Sequence, residues 1–405
     1  DIFVAEPAAN VVAQFSISEQ DIALKAEHRL YEDPDWGQRE FIGSTDERFR
    51  PVDVINGPDG GLYLVDMYRG LIQDEHFLTE ELREQVLQRE LDAPIGLGRI
   101  WRVRAQNGDA SPAVIPGGKS PAQLLALLSS DNGWVRDTAQ RLLLKTPGKQ
   151  TVGLKSLAIG DTTVPALHAL WTLHGRGELD RATVLAVMAS KDPHRQVQAL
   201  RAGSNQLTQQ DLLMLAGQPY AERVVMQLAF ALGSRSAAAD VQASLERILK
   251  EHGGKALIQQ AVVRSLRYQE VTFLQRLVDG DLFAIQSEAS SALLYQLALS
   301  AYRSVRPDLG SDEPAPASLN TLLDIVYSQT GDREWVQLAM LEGLYSITRS
   351  TGFKSAAFDS APKIFTDSAV DETSPLWGAR LKGRRAFTWP GDELAAGITP
   401  LSPNQ

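Results

Sequence analysis

Arg48 and Arg50, two positions apart, are the residues of this chain best suited to gripping an anion. A guanidinium carries paired N–H groups in one plane that match the two oxygens of a carboxylate, and on a strand residues i and i+2 point to the same side. Asp53 stands three residues on, and Asp66, Tyr68 and Arg69 follow at the end of the next apolar run. Two readings are open. Arg48, Arg50, Asp53, Asp66 and Arg69 line a ligand site at a strand end, or the arginines pair with Asp53 or Asp66 and tie neighbouring strands together.

Other chemistries find less to work with. The histidines are His28, His76, His168, His174, His194 and His252. His168 and His174 are six apart, almost opposite on a straight helix, and cannot chelate one metal. No metal site and no catalytic residue is assigned. The Gly-x-Ser-x-Gly elbow of hydrolases is absent, as is a Gly-x-x-x-x-Gly-Lys-Ser/Thr phosphate loop. Zero cysteines exclude disulfides, thiolate metal sites, thiol nucleophiles and covalent haem attachment within these residues.

The elements that position the arginines are short strands. Pro58-Asp59-Gly60-Gly61 has turn chemistry: proline sets φ, Asp bonds its own backbone, and glycine accepts positive φ. Leu62-Tyr63-Leu64-Val65 after it is an apolar run expected to be a strand covered on both faces. Its near copy, Asp1 to Glu6, lies 60 residues earlier, and the register continues with Asn10-Val11-Val12 against Gly70-Leu71-Ile72. Repetition at that interval, with Pro-Asp-Gly wording, is the mark of β-propeller blades. Residues 1–104 are therefore read as C-terminal blade(s) of a propeller, the chain opening inside a blade. They include a loop over Glu32 to Gly37, a helix capped by Thr79, and a closing strand from Gly98 to Val103.

Residues 105–120 are a linker by composition. From residue 121 to 355 the pattern is helix after helix, in pairs repeating at roughly thirty residues. The second helices are worded alike, as in Trp134 to Leu144, Pro165 to Leu173, Arg223 to Leu232 and Ile258 to Leu266. Such a pair cannot bury its apolar face alone, so the expectation is a HEAT-type α-solenoid in which neighbours stack. Residues 356–405 lose the rhythm: Phe387 and Trp389 are expected to wrap back onto the helices, and Thr399 to Gln405 to form an extended connector. The fold class is thus multidomain, with propeller blade(s) followed by an all-α solenoid.

The formal charge is −10, from 40 basic and 50 acidic residues, which disfavours nucleic acid or an anionic membrane as partner. No run of 18 apolar residues exists to span a membrane.

The stretch from Glu40 to Val52, followed by Gly57 to Gly70, resembles the final blade of large secreted bacterial propeller proteins related to glucose/sorbosone dehydrogenases. Gly96 to Val103 is similar to their blade closure, Asn132 to Leu142 and His168 to Leu173 to their first HEAT repeats, and Ala386 to Asp392 to the segment before their C-terminal c-type cytochrome. The resemblance implies a periplasmic or secreted protein in which a propeller oxidises a sugar or alcohol and passes electrons to a cytochrome domain carrying haem c. Related dehydrogenases that use pyrroloquinoline quinone hold its carboxylates with an Arg-x-Arg-Asp-Val motif. Here Arg48-Phe49-Arg50-Pro51-Val52-Asp53 has an extra residue before the Asp. The resemblance also implies that the solenoid spaces the two domains and docks a protein partner. The competing class is a non-enzymatic scaffold that binds a glycan or another protein.

Overall fold

The computed structural model describes residues 1–20, 22–72, 74–104, 112–311, 313–366 and 373–391. The expected connector over Thr399 to Gln405 and the linker residues 105–111 lie outside the described residues. An N-terminal region of antiparallel strands is followed by a region that is mostly helical. Two compact units divide the chain at residues 1–202 and 203–405.

In the first unit, β1 (Ile2–Glu6), β2 (Val11–Gln20) and β3 (Ala23–Arg29) form a meander, and β6 (Ile42–Gly43) pairs with the start of β2. Between them β4 (Tyr31–Asp33) and β5 (Gly37–Arg39) make a small hairpin where the sequence suggests only loop. Asp33 Oδ1 accepts the backbone N–H groups of Asp35 and Trp36, both at 3.0 Å, and so builds the turn that closes it. A second sheet has the order β7 (Pro51–Asn56), β8 (Leu62–Asp66), β9 (Arg99–Val103). The turn joining β7 to β8 is the expected one: Gly57 N–H donates to Gly61 O at 2.8 Å, Asp59 accepts Gly61 N–H, and Gly60 sits at φ 76°.

β8 is not covered on both faces. Leu64 and Asp66 are buried while Leu62, Tyr63 and Val65 are half-buried, the alternation of a strand with one inner face. Val12, Phe49 and Leu64 form the core of the strand region, with Phe3, Phe41, Ile42 and Val54 packed around them. Helix α1 (Glu80–Gln88) interrupts the second sheet before β9. Thr79 Oγ1 accepts Leu82 N–H at 3.2 Å to cap it, and two glutamates occupy the first turn.

The same unit continues through α2 (Pro121–Leu127), α3 (Gly133–Leu144), α4 (Thr151–Ile159), α5 (Thr163–Gly175), α6 (Arg181–Met188) and α7 (Pro193–Gly203). Ser120 and Gln123 form a capping box at α2, with Pro121 at the first helical position. Asn132 Nδ2 donates to Gly57 O at 2.9 Å, fastening the start of α3 to the β7–β8 turn.

The second unit holds α8 (Gln209–Ala216), α9 (Glu222–Leu232), α10 (Ala239–His252), α11 (Ala256–Ser265), α12 (Glu270–Asp279), α13 (Glu288–Val305), α14 (Ala317–Tyr327) and α15 (Glu334–Ser346). Its core is aliphatic, built on residues such as Leu228, Val262, Leu294 and Leu323, with Phe273 and Tyr302 fully buried. After it come β10 (Ala356–Ala357), α16 (Lys363–Thr366), α17 (Pro375–Arg384) and β11 (Phe387–Thr388), the two strands pairing in parallel. Phe387 is buried against Tyr302, Phe358 and Phe365, with ring centroids 5.4–5.9 Å apart. Trp389 stacks on Phe365 beneath the Arg384 guanidinium.

A recurrent device within each unit is an arginine reaching back to a helix C-terminus. Arg176 bonds Leu143 O, Arg195 bonds Ala158 O, Arg247 bonds Ala216 O and Arg333 bonds Val278 O, at 2.6–3.2 Å. These carbonyls lie in last turns, where no intrahelical donor exists to satisfy them. The cation also suits the negative end of the helix dipole.

Candidate functional site

Arg48 and Arg50 precede β7 rather than lying on it; Arg48 is in a turn and Arg50 stands just before the first strand residue. The alternation that would aim both to one side therefore does not apply, and their side chains diverge. Arg48 Nη2 donates to Glu90 O and to Ala93 O, the latter at 2.7 Å, which clamps the chain leaving α1. Its Nη1 is buried without a hydrogen-bond partner.

Arg50 is spent almost entirely on main chain. Nε donates to Arg69 O at 3.1 Å and Nη2 to Gly70 O at 2.7 Å. Nη1 donates to Pro7 O at 2.8 Å, with Ala8 O and Asn10 Oδ1 at 3.2–3.3 Å. Residues 7–10 and 67–70 are the segments that follow the two sequence-related strands β1 and β8. One guanidinium therefore straps together the equivalent turns of a repeat. Burial pushes this arginine down from its ordinary value, against a smaller upward push from Glu47.

Asp66 is the third fixed point. Its side chain is fully buried, with Oδ1 accepting Arg50 N–H at 2.8 Å and Tyr68 N–H at 2.9 Å, and Oδ2 accepting Arg99 Nε at 2.8 Å and Trp101 Nε1 at 3.0 Å. Burial alone would push its carboxyl up; the four donors together outweigh that and hold it below the ordinary range. The Arg99 guanidinium in turn lies over the Tyr68 ring at 3.6 Å and the Trp101 ring at 4.5 Å. Tyr68 has φ 44°, a left-handed backbone that its N–H bond to Asp66 supports.

Asp53 stays apart from this group. It is exposed beside a bulge in β7, and its Oδ1 accepts only the next N–H, that of Val54, at 2.8 Å. Arg69 contributes its carbonyl to Arg50, while its side chain is exposed. The structure thus brings Arg50, Asp66 and the Arg69 carbonyl together, and leaves Arg48 and Asp53 elsewhere. Arg99 and Trp101 belong to the cluster and were not singled out from the sequence. The signal for them was the pairing of Gly98 to Val103 against Leu62 to Asp66, which sets Arg99 directly across from Asp66.

A cleft of about 240 Å³ lies beside Arg50, walled by Asn10, Gly70, the α1 residues Leu82 and Gln85, and Arg89 just past the end of α1. An ion pair between Arg89 and Glu47 crosses its lip. Gly70 is needed where the chain after α1 crosses: a Cβ there would meet Leu91 O at 2.6 Å. The cleft is polar and small, and can hold a small hydrogen-bonding molecule. It lacks a nucleophile held by a base.

A quinone cofactor held by Arg48 and Arg50 would need free guanidinium edges facing one space. The placement does not fit that requirement, because Arg50 meets five acceptors and Arg48 points to a different segment. Among the described residues no group of three or more His, Cys, Asp or Glu side chains is placed to hold a metal ion. His168 shows the kind of role a histidine takes here: its Nδ1 lies 2.7 Å from Gln140 Oε1, Arg136 Nε donates to its Nε2, and burial holds its pKa below the ordinary value.

A family model described as a domain of unknown function, DUF7133, matches residues 1–107, which span the strand region. Among curated proteins and among solved structures, no match was found. No helix among the described residues is long and apolar enough to cross a membrane.

Proposed function

We propose that this chain is the spacing and docking section of a periplasmic or secreted multidomain redox protein. In this reading its strand region is the last part of a propeller that oxidises a sugar or alcohol, and its helices form a HEAT-type solenoid. A c-type cytochrome domain in the same protein takes the electrons. The chemistry resides in the flanking domains, and residues 1–405 hold donor and acceptor at a set separation.

The single observation that carries the scaffold role is Arg50. The cation best suited to a ligand is committed to main-chain carbonyls of two repeat-related turns, and so acts as a strut. The resemblance in sequence supplies the redox setting.

The test compares two polypeptides, the product of the complete open reading frame and residues 1–405 alone. The expected result is a covalent haem spectrum and sugar- or alcohol-dependent dye reduction in the former and neither in the latter. Arg50→Ala in the complete protein is expected to cost about 2 kcal/mol of stability, since several carbonyls lose their donor, with turnover per folded molecule unchanged. Dye reduction by residues 1–405 alone would overturn the reading. So would a complete gene product without haem.

A further inference from the structure

Within the second unit, α11 and α13 enclose a groove of about 430 Å³ on their exposed side. Gln260 and Arg264 come from one helix, and Gln296, Ser300 and Arg303 from the other, with Leu299 between them. The spacings of four within α11, and of four and seven within α13, keep each series on one helix face. Both arginines are exposed, and no described carboxylate forms an ion pair with either. The one polar contact seen for Arg303 is a long 3.5 Å bond to Ser350 Oγ.

Several other cations of this unit are committed. Arg276 bonds Glu246 at 2.6 Å, Lys250 bonds Asp281 at 2.6 Å, and Arg306 bonds Lys354 O at 2.8 Å. In a chain with 50 acidic and 40 basic residues, two adjacent guanidiniums without carboxylate partners run against the composition. Behind them Glu270 is buried; its Oε1 accepts Ser300 Oγ–H at 3.4 Å and its Oε2 has no hydrogen-bond partner.

We propose that this groove docks an acidic, extended segment of a partner protein. Carboxylates seat on Arg264 and Arg303, whose planar forks suit them, while Gln260 and Gln296 pair with the segment's backbone and Leu299 receives an aliphatic side chain. The apolar floor and the presence of only two cations favour a peptide over a nucleic acid, which needs a longer run of cations along its phosphates. The proposal deepens the docking role given above, and it stands or falls without the redox role because its test needs neither haem nor sugar.

The experiment is fluorescence anisotropy on residues 1–405 with a labelled peptide alternating Glu with Leu and Gly, and a matched peptide with Gln for Glu. Saturable binding of the Glu peptide is expected, weakening about tenfold between roughly 50 and 300 mM salt, with the Gln peptide at least tenfold weaker. Arg264→Gln/Arg303→Gln should lower affinity about tenfold, and Arg264→Glu/Arg303→Glu further, with circular dichroism and melting unchanged. The charge-matched control Lys145→Glu/Lys149→Glu should stay within about twofold of the parent. Absent binding, equal binding of the Gln peptide, or an equal loss in the control would overturn the proposal. Self-association abolished by the Arg264→Glu/Arg303→Glu change would assign the groove to a second copy of the chain instead.

Discussion

At the scale of single residues, the chain uses charge to satisfy backbone. Arg48, Arg50, Arg176 and Arg333 all spend guanidinium N–H groups on carbonyl oxygens. Asp66 does the converse, collecting two backbone and two side-chain donors on one buried carboxylate. Asp66→Asn would point an amide N–H₂ at two of those donors, and should destabilise the strand region by about 2–4 kcal/mol in urea unfolding at neutral pH. The pH dependence follows from the same geometry. The folded carboxyl titrates below its unfolded value of 3.8, so the folded form holds on to fewer protons in acid. Its stabilisation is complete above that value and is lost as pH falls through the lower folded value. Unfolding free energies measured from about pH 5 down to about pH 2 should therefore fall less steeply in Asp66→Asn than in the parent. Equal slopes would mean that folding does not lower the Asp66 carboxyl.

At the scale of elements, close helix approach depends on small residues as much as on the apolar stripe. A Cβ on Gly343 in α15 would stand 2.4 Å from Tyr295 O and 3.2 Å from the Ala298 Cβ of α13. Gly378 in α17 has nothing within 4 Å of the same position. Alanine gains about 1 kcal/mol of helix propensity at either site, but overpacking costs about 1–3 kcal/mol. Gly378→Ala is thus expected to raise the melting temperature and Gly343→Ala to lower it. A rise in both variants would show that propensity outweighs the packing of α13 on α15.

At the scale of the whole molecule, the distribution of buried surface is uneven. The strand region rests on Val12, Phe49 and Leu64, and β3 is exposed along its full length. Large apolar side chains there remain in water, with Trp36 81% and Ile100 70% exposed. The helices bury aliphatic residues turn after turn. Local opening is easiest where few apolar contacts must be broken. In hydrogen exchange, the amides of β1 to β3 are expected to exchange well before those of α9, α11 and α13. Uniform protection across both regions would contradict this.

The amino-acid sequence alone carried the local features. The Pro58 to Gly61 turn, the Thr79 cap, the strand-to-helix change and the helical pairing are written in short-range periodicity and in residues whose backbone preferences act over a few positions. It also marked Arg50 and Asp66 as unusual. It did not reveal what they touch, because the Arg50 partners lie 19 to 43 residues away and the Arg99 partner of Asp66 lies 33 away. A long flexible side chain takes its direction from whichever distant carbonyl the fold brings near and leaves unsatisfied. Nor did the sequence reveal ties such as that of Asn132 to the Gly57 carbonyl, which join residues 75 positions apart. Burial, partner choice and the aim of a charge were decided by tertiary structure, because each depends on residues that are remote along the chain and adjacent only in space.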